Sequence, residues 1–142
     1  GRWTHRLLSS ITRWLKKPPM ALTFHLIEML IGHGSYQSYL HKYNRADDSA
    51  CVHCSDPDDS ARHTIFCCPY WDAKRARMLL FLNGRPPTPE EVPDLLCGPA
   101  GIEEVAESTR KTFVRAHNEF CGMVDTIMSR KEEKERDRQR RV

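Results

Sequence analysis

Four residues near the middle of the chain, Cys51, Cys54, His63 and Cys68, have the spacing Cys-x2-Cys-x8-His-x4-Cys. Three thiolates and one imidazole make a closed tetrahedral Zn²⁺ site, and a Cys-x2-Cys pair grips such an ion from one tight turn. The loop between them, Ser55-Asp56-Pro57-Asp58-Asp59-Ser60, is built of turn formers and can return His63 to the ion. Cys67 competes for the fourth position, because in a continuous α-helix residues four apart share a face. The His-x4-Cys spacing, with Pro69 opening the next helix, favours Cys68. His53 lies inside the Cys-x2-Cys turn, where its ring is expected to point away from the ion. Four protein ligands leave no open position, so the site reads as structural rather than hydrolytic. Arg62 or a backbone N–H is expected to offset the net negative charge of three thiolates.

Catalytic chemistry finds no comparable pattern. His5, His25, His33, His41 and His117 are scattered, and no Ser/His/Asp or paired-carboxylate spacing stands out. No glycine loop of the phosphate-cradling kind is present. The expectation is a chain with no catalytic residues and no small-molecule substrate. Of six cysteines, four fall within residues 51–68 beside a histidine. That placement suits metal ligation in a reducing compartment better than disulfides, so an intracellular protein of nucleus and cytoplasm is expected. No apolar run reaches the roughly 18 residues that span a bilayer. The opening Gly1-Arg2-Trp3-Thr4-His5-Arg6 lacks a secretory-signal pattern and reads like the interior of a longer protein.

A formal charge of +3 conceals segregation. Residues 1–45 carry seven Lys or Arg against one Glu, and residues 46–63 carry five Asp against one Arg. Residues 87–107 hold six acids and no Lys or Arg, whereas residues 129–142 hold seven bases and four acids. Blocks of this kind point to opposing faces. Arg2, Arg6, Arg13, Lys16 and Lys17 form a basic stripe that no acid of its helix neutralises, and with Lys42 and Arg45 it suits phosphate contact with RNA or DNA. Lys74, Arg75 and Arg77 are further candidates, and Tyr36, Tyr43 or Tyr70 could stack on unpaired bases. A solvated basic face is the plainer reading of the same stripe.

The elements positioning these groups are helical. Residues 2–17 read as one amphipathic helix with Trp3, Leu7, Leu8, Ile11, Trp14 and Leu15 on its apolar side, ended by Pro18 and Pro19. Met20 to Ile31 is apolar almost all round, as in a central buried helix, with Gly32 closing it. Ser35 is placed to cap a helix from Tyr36 to Tyr43 that buries Tyr36, Tyr39 and Leu40. Pro69 opens a helix to about Leu82, with Trp71, Met78, Leu79 and Leu82 inward and Lys74, Arg75 and Arg77 outward. Thr88-Pro89-Glu90-Glu91 supplies an N-cap, a first-turn proline and a capping box for a short helix ending near Gly98-Pro99. From Ile102 a long helix carries a heptad seam of Ala106, Thr109, Phe113, Ala116, Phe120, Met123 and Ile127, best packed against the chain's own helices. Beyond Ser129 the seam gives way to alternating charges, a solvated helix or a disordered tail. The fold class is therefore all-α, a helical domain stapled by a CCHC zinc-binding loop. Its expected parts are 1–45, the zinc loop 46–70, helices over 71–98 and a long C-terminal helix with a charged tail over 99–142.

These blocks together resemble one family. Arg2-Trp3-Thr4-His5-Arg6-Leu7-Leu8, Leu30-Ile31-Gly32-His33-Gly34 with Tyr39-Leu40-His41-Lys42, and Cys51-x2-Cys54 through His63-Thr64-Ile65-Phe66-Cys67-Cys68-Pro69-Tyr70-Trp71 occur in that order. They look like the C-terminal region of the reverse-transcriptase polyprotein of arthropod non-LTR (LINE-type) retrotransposons, over roughly residues 2–80. The resemblance implies zinc at Cys51, Cys54, His63 and Cys68. It further implies polymerase and endonuclease chemistry elsewhere, and a role holding template RNA or target DNA during target-primed reverse transcription. Family members commonly carry Gly after the second cysteine and Glu before the histidine; here Ser55 and Arg62 stand there. A second role is as a protein-interaction module, docking onto the polymerase body or onto a second copy.

Overall fold

The computed structural model describes residues 1–17, 22–98, 101 and 104–141. Seven α-helices occur among them: α1 (Arg2–Leu7), α2 (Ile11–Lys16), α3 (Phe24–Ile31), α4 (Gln37–Lys42), α5 (Asp72–Arg75), α6 (Val92–Cys97) and α7 (Glu107–Arg140). Shorter turns of tighter or wider pitch lie between α4 and α6, and no strand occurs among the described residues. The all-α class and the long C-terminal helix are as expected. Pro18, Pro19, Met20, Pro99 and Ile102, which figured in the expected helix boundaries, lie outside the described residues.

The long helix is the spine. Phe113, Phe120, Met123, Val124, Ile127 and Met128 are buried along it, and all but Phe113 join the one core cluster with Leu26 and Met29 of α3 and Leu95 and Leu96 of α6. The seam is thus consumed within the chain. Its first two positions, Ala106 and Thr109, are exposed. Past Ser129 the inward face continues with polar side chains, because Lys131 and Glu135 are buried. The solvated-tail expectation fails at these two residues: each finds a partner in the loop or helix beneath.

The expected first helix is two. Leu8 leaves helical geometry, and the Ser10 hydroxyl accepts from the Arg13 N–H at 3.2 Å to start α2 afresh. The break rotates the second half, leaving Ile11 and Leu15 74% and 76% exposed while Leu7 stays fully buried. The orientation of α1 is fixed by α3: Trp3 Nε1 donates to the Met29 carbonyl and Thr4 Oγ1 to the Leu30 carbonyl, both at 2.8 Å. Those carbonyls belong to the last turn of α3, where they lack partners within their own helix.

The Thr23 side chain caps α3, and Gly32 ends it in a left-handed conformation (φ 72°), as read. The helix is not buried all round, however. Leu26, Met29 and Leu30 face inward while Phe24, Ile27 and Ile31 are exposed, because α1 and α7 cover only part of its circumference.

Residues 69–82 are not one helix. A 3₁₀ turn at Pro69–Trp71, α5 and a second 3₁₀ stretch at Ala76–Leu80 replace it. Trp71, Met78 and Leu82 are buried as expected, but Leu79 is exposed and Arg75 is buried. The Thr88–Glu91 capping box forms as read, leading into α6, whose backbone turns out at Gly98.

Candidate metal centre

One tight turn brings Cys51 and Cys54 together, the Ser55 N–H bonding back to the Cys51 carbonyl at 2.9 Å. Ser55 itself adopts φ 66°, the left-handed region that favours glycine. The serine therefore keeps the turn that a glycine would make, at a conformational cost of about 1 kcal/mol. A single wide turn at His63–Cys67 follows, in which the Cys68 N–H reaches the His63 carbonyl at 2.7 Å, five residues back. This extra residue, with the extended backbone of Cys68, carries Cys68 to the interior beside Cys51 and leaves Cys67 exposed.

The four side chains converge as the spacing suggested. Their ligand atoms all lie within 4.8 Å of one another. Cys51 Sγ and Cys68 Sγ are 3.8 Å apart, far beyond a disulfide bond, and Cys54 Sγ is 3.2 Å from His63 Nε2. A tetrahedral ion with Zn–S bonds of about 2.3 Å separates its sulfurs by about 3.8 Å. The donor set and its spacing therefore fit a metal of that kind. Burial and then the neighbouring Cys51 push the Cys68 thiol up to about 12. A cation bound to such a thiol would displace its proton into the solvent.

Outer contacts orient the ligands. Asp56 Oδ2 lies 3.6 Å from His63 Nδ1, which leaves Nε2 for the ion. The backbone N–H of His53 points at Cys51 Sγ at 3.4 Å, so a backbone donor offsets thiolate charge. Arg62 is exposed and makes no ion pair among the described residues. The His53 ring stacks on Tyr70, centroids 3.9 Å apart, turned away from the cluster as expected.

Two buried ions hold the loop to the helices, and neither was anticipated. Arg75 donates to the Thr64 and Ile65 carbonyls at 3.2 and 3.0 Å, to the Cys68 carbonyl, and to Asp72 Oδ1 at 2.9 Å. It ties down the wide turn that carries His63, so it is not the outward phosphate-binding cation the helical reading made it. Asp59, wholly buried, accepts from Lys131 Nζ at 2.8 Å, from the Gln37 N–H at 2.9 Å and from Thr64 Oγ1 at 3.0 Å. The N-terminus of α4 is thereby capped from the metal loop instead of from Ser35. Gln37 Nε2 donates in turn to Glu135 at 2.9 Å. The signal for Asp59 was its place among turn formers before His63; nothing in the spacing marked Lys131 as its partner.

The basic stripe is partly neutralised. Arg6 Nε donates to Glu90 at 2.9 Å, and Arg13 Nη2 donates to Asp94 at 2.7 Å and to the Gly98 carbonyl. Glu90 and Asp94 of the acidic block thus lie against α1 and α2, correcting the premise that no acid faces them. Arg2, Lys16, Lys17, Lys42 and Arg45 make no ion pair among the described residues. Lys17 lies over the Trp14 ring and Lys42 over that of Tyr43. A further group, His25, Glu28 and Glu132, joins α3 to α7, with His25 Nδ1 2.8 Å from Glu28 and 3.9 Å from Glu132 and Arg136 also on Glu132.

The site and fold define an all-helical chain built around a Cys₃His cluster. No family model matches it, and no solved structure does. Its relatives are polyproteins of type-1 (R1) non-LTR retrotransposable elements of arthropods, the group that its residues resemble. The chain is 32% identical over 71 residues to the 115 kDa protein in type-1 retrotransposable element R1DM of Drosophila melanogaster, covering 50% of this chain and 7% of that protein. It is 30% identical over 86 residues to a retrovirus-related Pol polyprotein from element R1 4 of Nasonia vitripennis, 61% of this chain and 22% of the relative. It is 31% identical over 75 residues to the corresponding R1 polyprotein of Bradysia coprophila, 53% and 7% respectively. The chain thus spans between 7% and 22% of the length of these relatives. None of its described helices is long and apolar enough to cross a membrane.

Proposed function

We propose that this chain is a zinc-bound, non-catalytic segment of an R1-type retrotransposon polyprotein that binds RNA or DNA during target-primed reverse transcription, inside the cell. The Cys₃His cluster in a chain similar to Pol polyproteins carries this reading. Cys51, Cys54, His63 and Cys68 hold Zn²⁺, and the ion closes a loop whose role is architectural. Exposed cations without ion-pair partners among the described residues, Arg2, Lys16, Lys42 and Arg45 among them, supply phosphate contacts, while Arg6 and Arg13 contribute less because Glu90 and Asp94 already occupy them. Polymerisation belongs to the remainder of the polyprotein.

The test is metal analysis of the purified chain beside binding of RNA and DNA strands across a salt series. One zinc per chain and an affinity that falls linearly in log–log with salt are expected. A metal-loaded, folded chain that binds no strand or duplex at low salt refutes nucleic-acid binding. A second reading, docking onto the polymerase body, is favoured by one observation: Phe24, Ile27 and Ile31 line up exposed along α3.

A further inference from the structure

A cleft of about 510 Å³ opens where α1, the Gly32-His33-Gly34 turn, α4 and the metal loop meet. Its size lies within the roughly 300–1,000 Å³ that accommodates small organic groups. Trp3 forms one wall, its ring fixed by the Nε1 bond to the Met29 carbonyl and by an edge-on contact with Phe66 at 6.1 Å. On the other wall His33 stacks on Tyr39, centroids 4.6 Å apart and planes 24° from parallel, and Tyr39 leans on Tyr43 at 4.9 Å. Two cations, Lys42 from α4 and Arg62 from the metal loop, line the rim. Neither makes a direct ion pair among the described residues, and Arg62 has only the more distant Glu90, itself paired with Arg6, as a counter-charge. Gly32 makes the turn between α3 and α4: it takes φ 72°, a left-handed conformation that glycine adopts without strain.

We propose that this cleft takes an unpaired nucleotide of a single strand, its base stacked on the aromatic walls and its phosphates paired with Lys42 and Arg62. The proposal rests on the nucleic-acid reading above and moves its centre from the basic face of α1 and α2 to the cleft beside the metal loop. Flat aromatic surface accepts any base, and adjacent cations track the backbone; together they are the working parts of single-strand binders. A duplex cannot offer a base to a recess of this kind without unpairing.

The test uses the zinc-loaded full chain with short fluorescein-labelled oligo-U and oligo-dT strands and a duplex of the same length, followed by anisotropy across a salt series. His33→Ala and Tyr39→Leu, checked for zinc content and melting temperature, should each weaken strand binding at least about fivefold while leaving its salt slope unchanged. The Lys42→Gln/Arg62→Gln double variant should flatten that slope by about one to one and a half. Strands carrying 5-iodouracil should crosslink to Trp3 or to the 31–43 segment. A wild-type chain that binds strands while all variants match it, with crosslinks elsewhere, overturns the cleft and leaves nucleic-acid binding standing. A wild-type chain that binds no strand overturns both. His33, exposed in a turn, keeps the test valid should Tyr39→Leu fail to fold.

Discussion

Lys131→Met is the most informative single perturbation of this fold. The variant keeps most of the side chain's length but leaves the Asp59 carboxyl fully buried without its cation, with only the Gln37 N–H and the Thr64 hydroxyl as partners. Both partners of the 2.8 Å pair lie out of water, the Lys131 side chain 4% exposed and that of Asp59 0%. Screening therefore does little to soften the loss, and removing one member of such a pair costs about 3–5 kcal/mol. A domain of this size has a total stability of order 10 kcal/mol, so the melting temperature should fall by roughly 10–20 °C. Asp59→Asn alone loses the same pair but keeps an oxygen for the Gln37 N–H. The Asp59→Asn/Lys131→Met double variant removes both charges and should recover part of the loss. Urea unfolding of all four proteins, metal-loaded at neutral pH, yields the coupling energy. Additive losses, or a Lys131→Met effect under about 1 kcal/mol, the range of exposed pairs, would refute the claim that this ion pair fastens the metal loop to α7.

Other perturbations separate the remaining parts. Cys68→Ser should abolish stoichiometric zinc binding while Cys67→Ser leaves it intact, as metal analysis after dialysis will report; equal retention by both overturns the ligand assignment. Arg75→Lys should destabilise by about 2–4 kcal/mol in chemical unfolding, because a single ammonium cannot serve three carbonyls and Asp72 in the geometry of a guanidinium. His117 donates from Nδ1 to the Leu95 carbonyl at 2.9 Å, and burial lowers its folded pKa below the ordinary value. The unfolded chain then binds the extra proton first, so this residue's contribution is intact above about pH 6.5 and is lost as pH falls from there toward the folded pKa. The melting-temperature difference between wild type and His117→Asn should accordingly shrink on acidification from pH 7.5 to 5.5; a constant difference refutes it.

The parts of this molecule set by local chemistry were legible in its residues. The Cys-x2-Cys turn, the exclusion of His53, the Thr88–Glu91 capping box and Gly32 at a helix end each depend on a few neighbouring residues. What escaped was set across the chain. Arg6 and Arg13 form an uncompensated stripe only until residues 81 and more positions away bring Glu90 and Asp94 against them. Lys131 and Glu135 sit in an alternating charge run that looks solvated by every local criterion, and their burial follows from Asp59 and Gln37 lying beneath. Arg75 has the helical phase of an outward residue, but the open carbonyls of the His63 turn draw it inward. Periodicity placed the α7 seam from Phe113 onward, Leu7, Trp71 and Met78 but misplaced Ile11, Leu15, Ile31 and Leu79, where a helix breaks or stays uncovered. It missed buried charge altogether, because the partner of a buried charge has no fixed spacing.

The cap that Asp59 places on α4 has a consequence for the order in which the chain assembles. A helix of six residues has too few internal bonds to persist alone. Its first free N–H is satisfied by a residue that arrives 22 positions later in synthesis. Helix α4 is therefore expected to remain unformed until the metal loop has closed, and hydrogen exchange at Gln37 to Lys42 should follow loop closure in refolding. The cleft wall made by Tyr39 and Lys42 is expected only from that moment, so under the proposed function a chain whose loop has not closed would not present that surface.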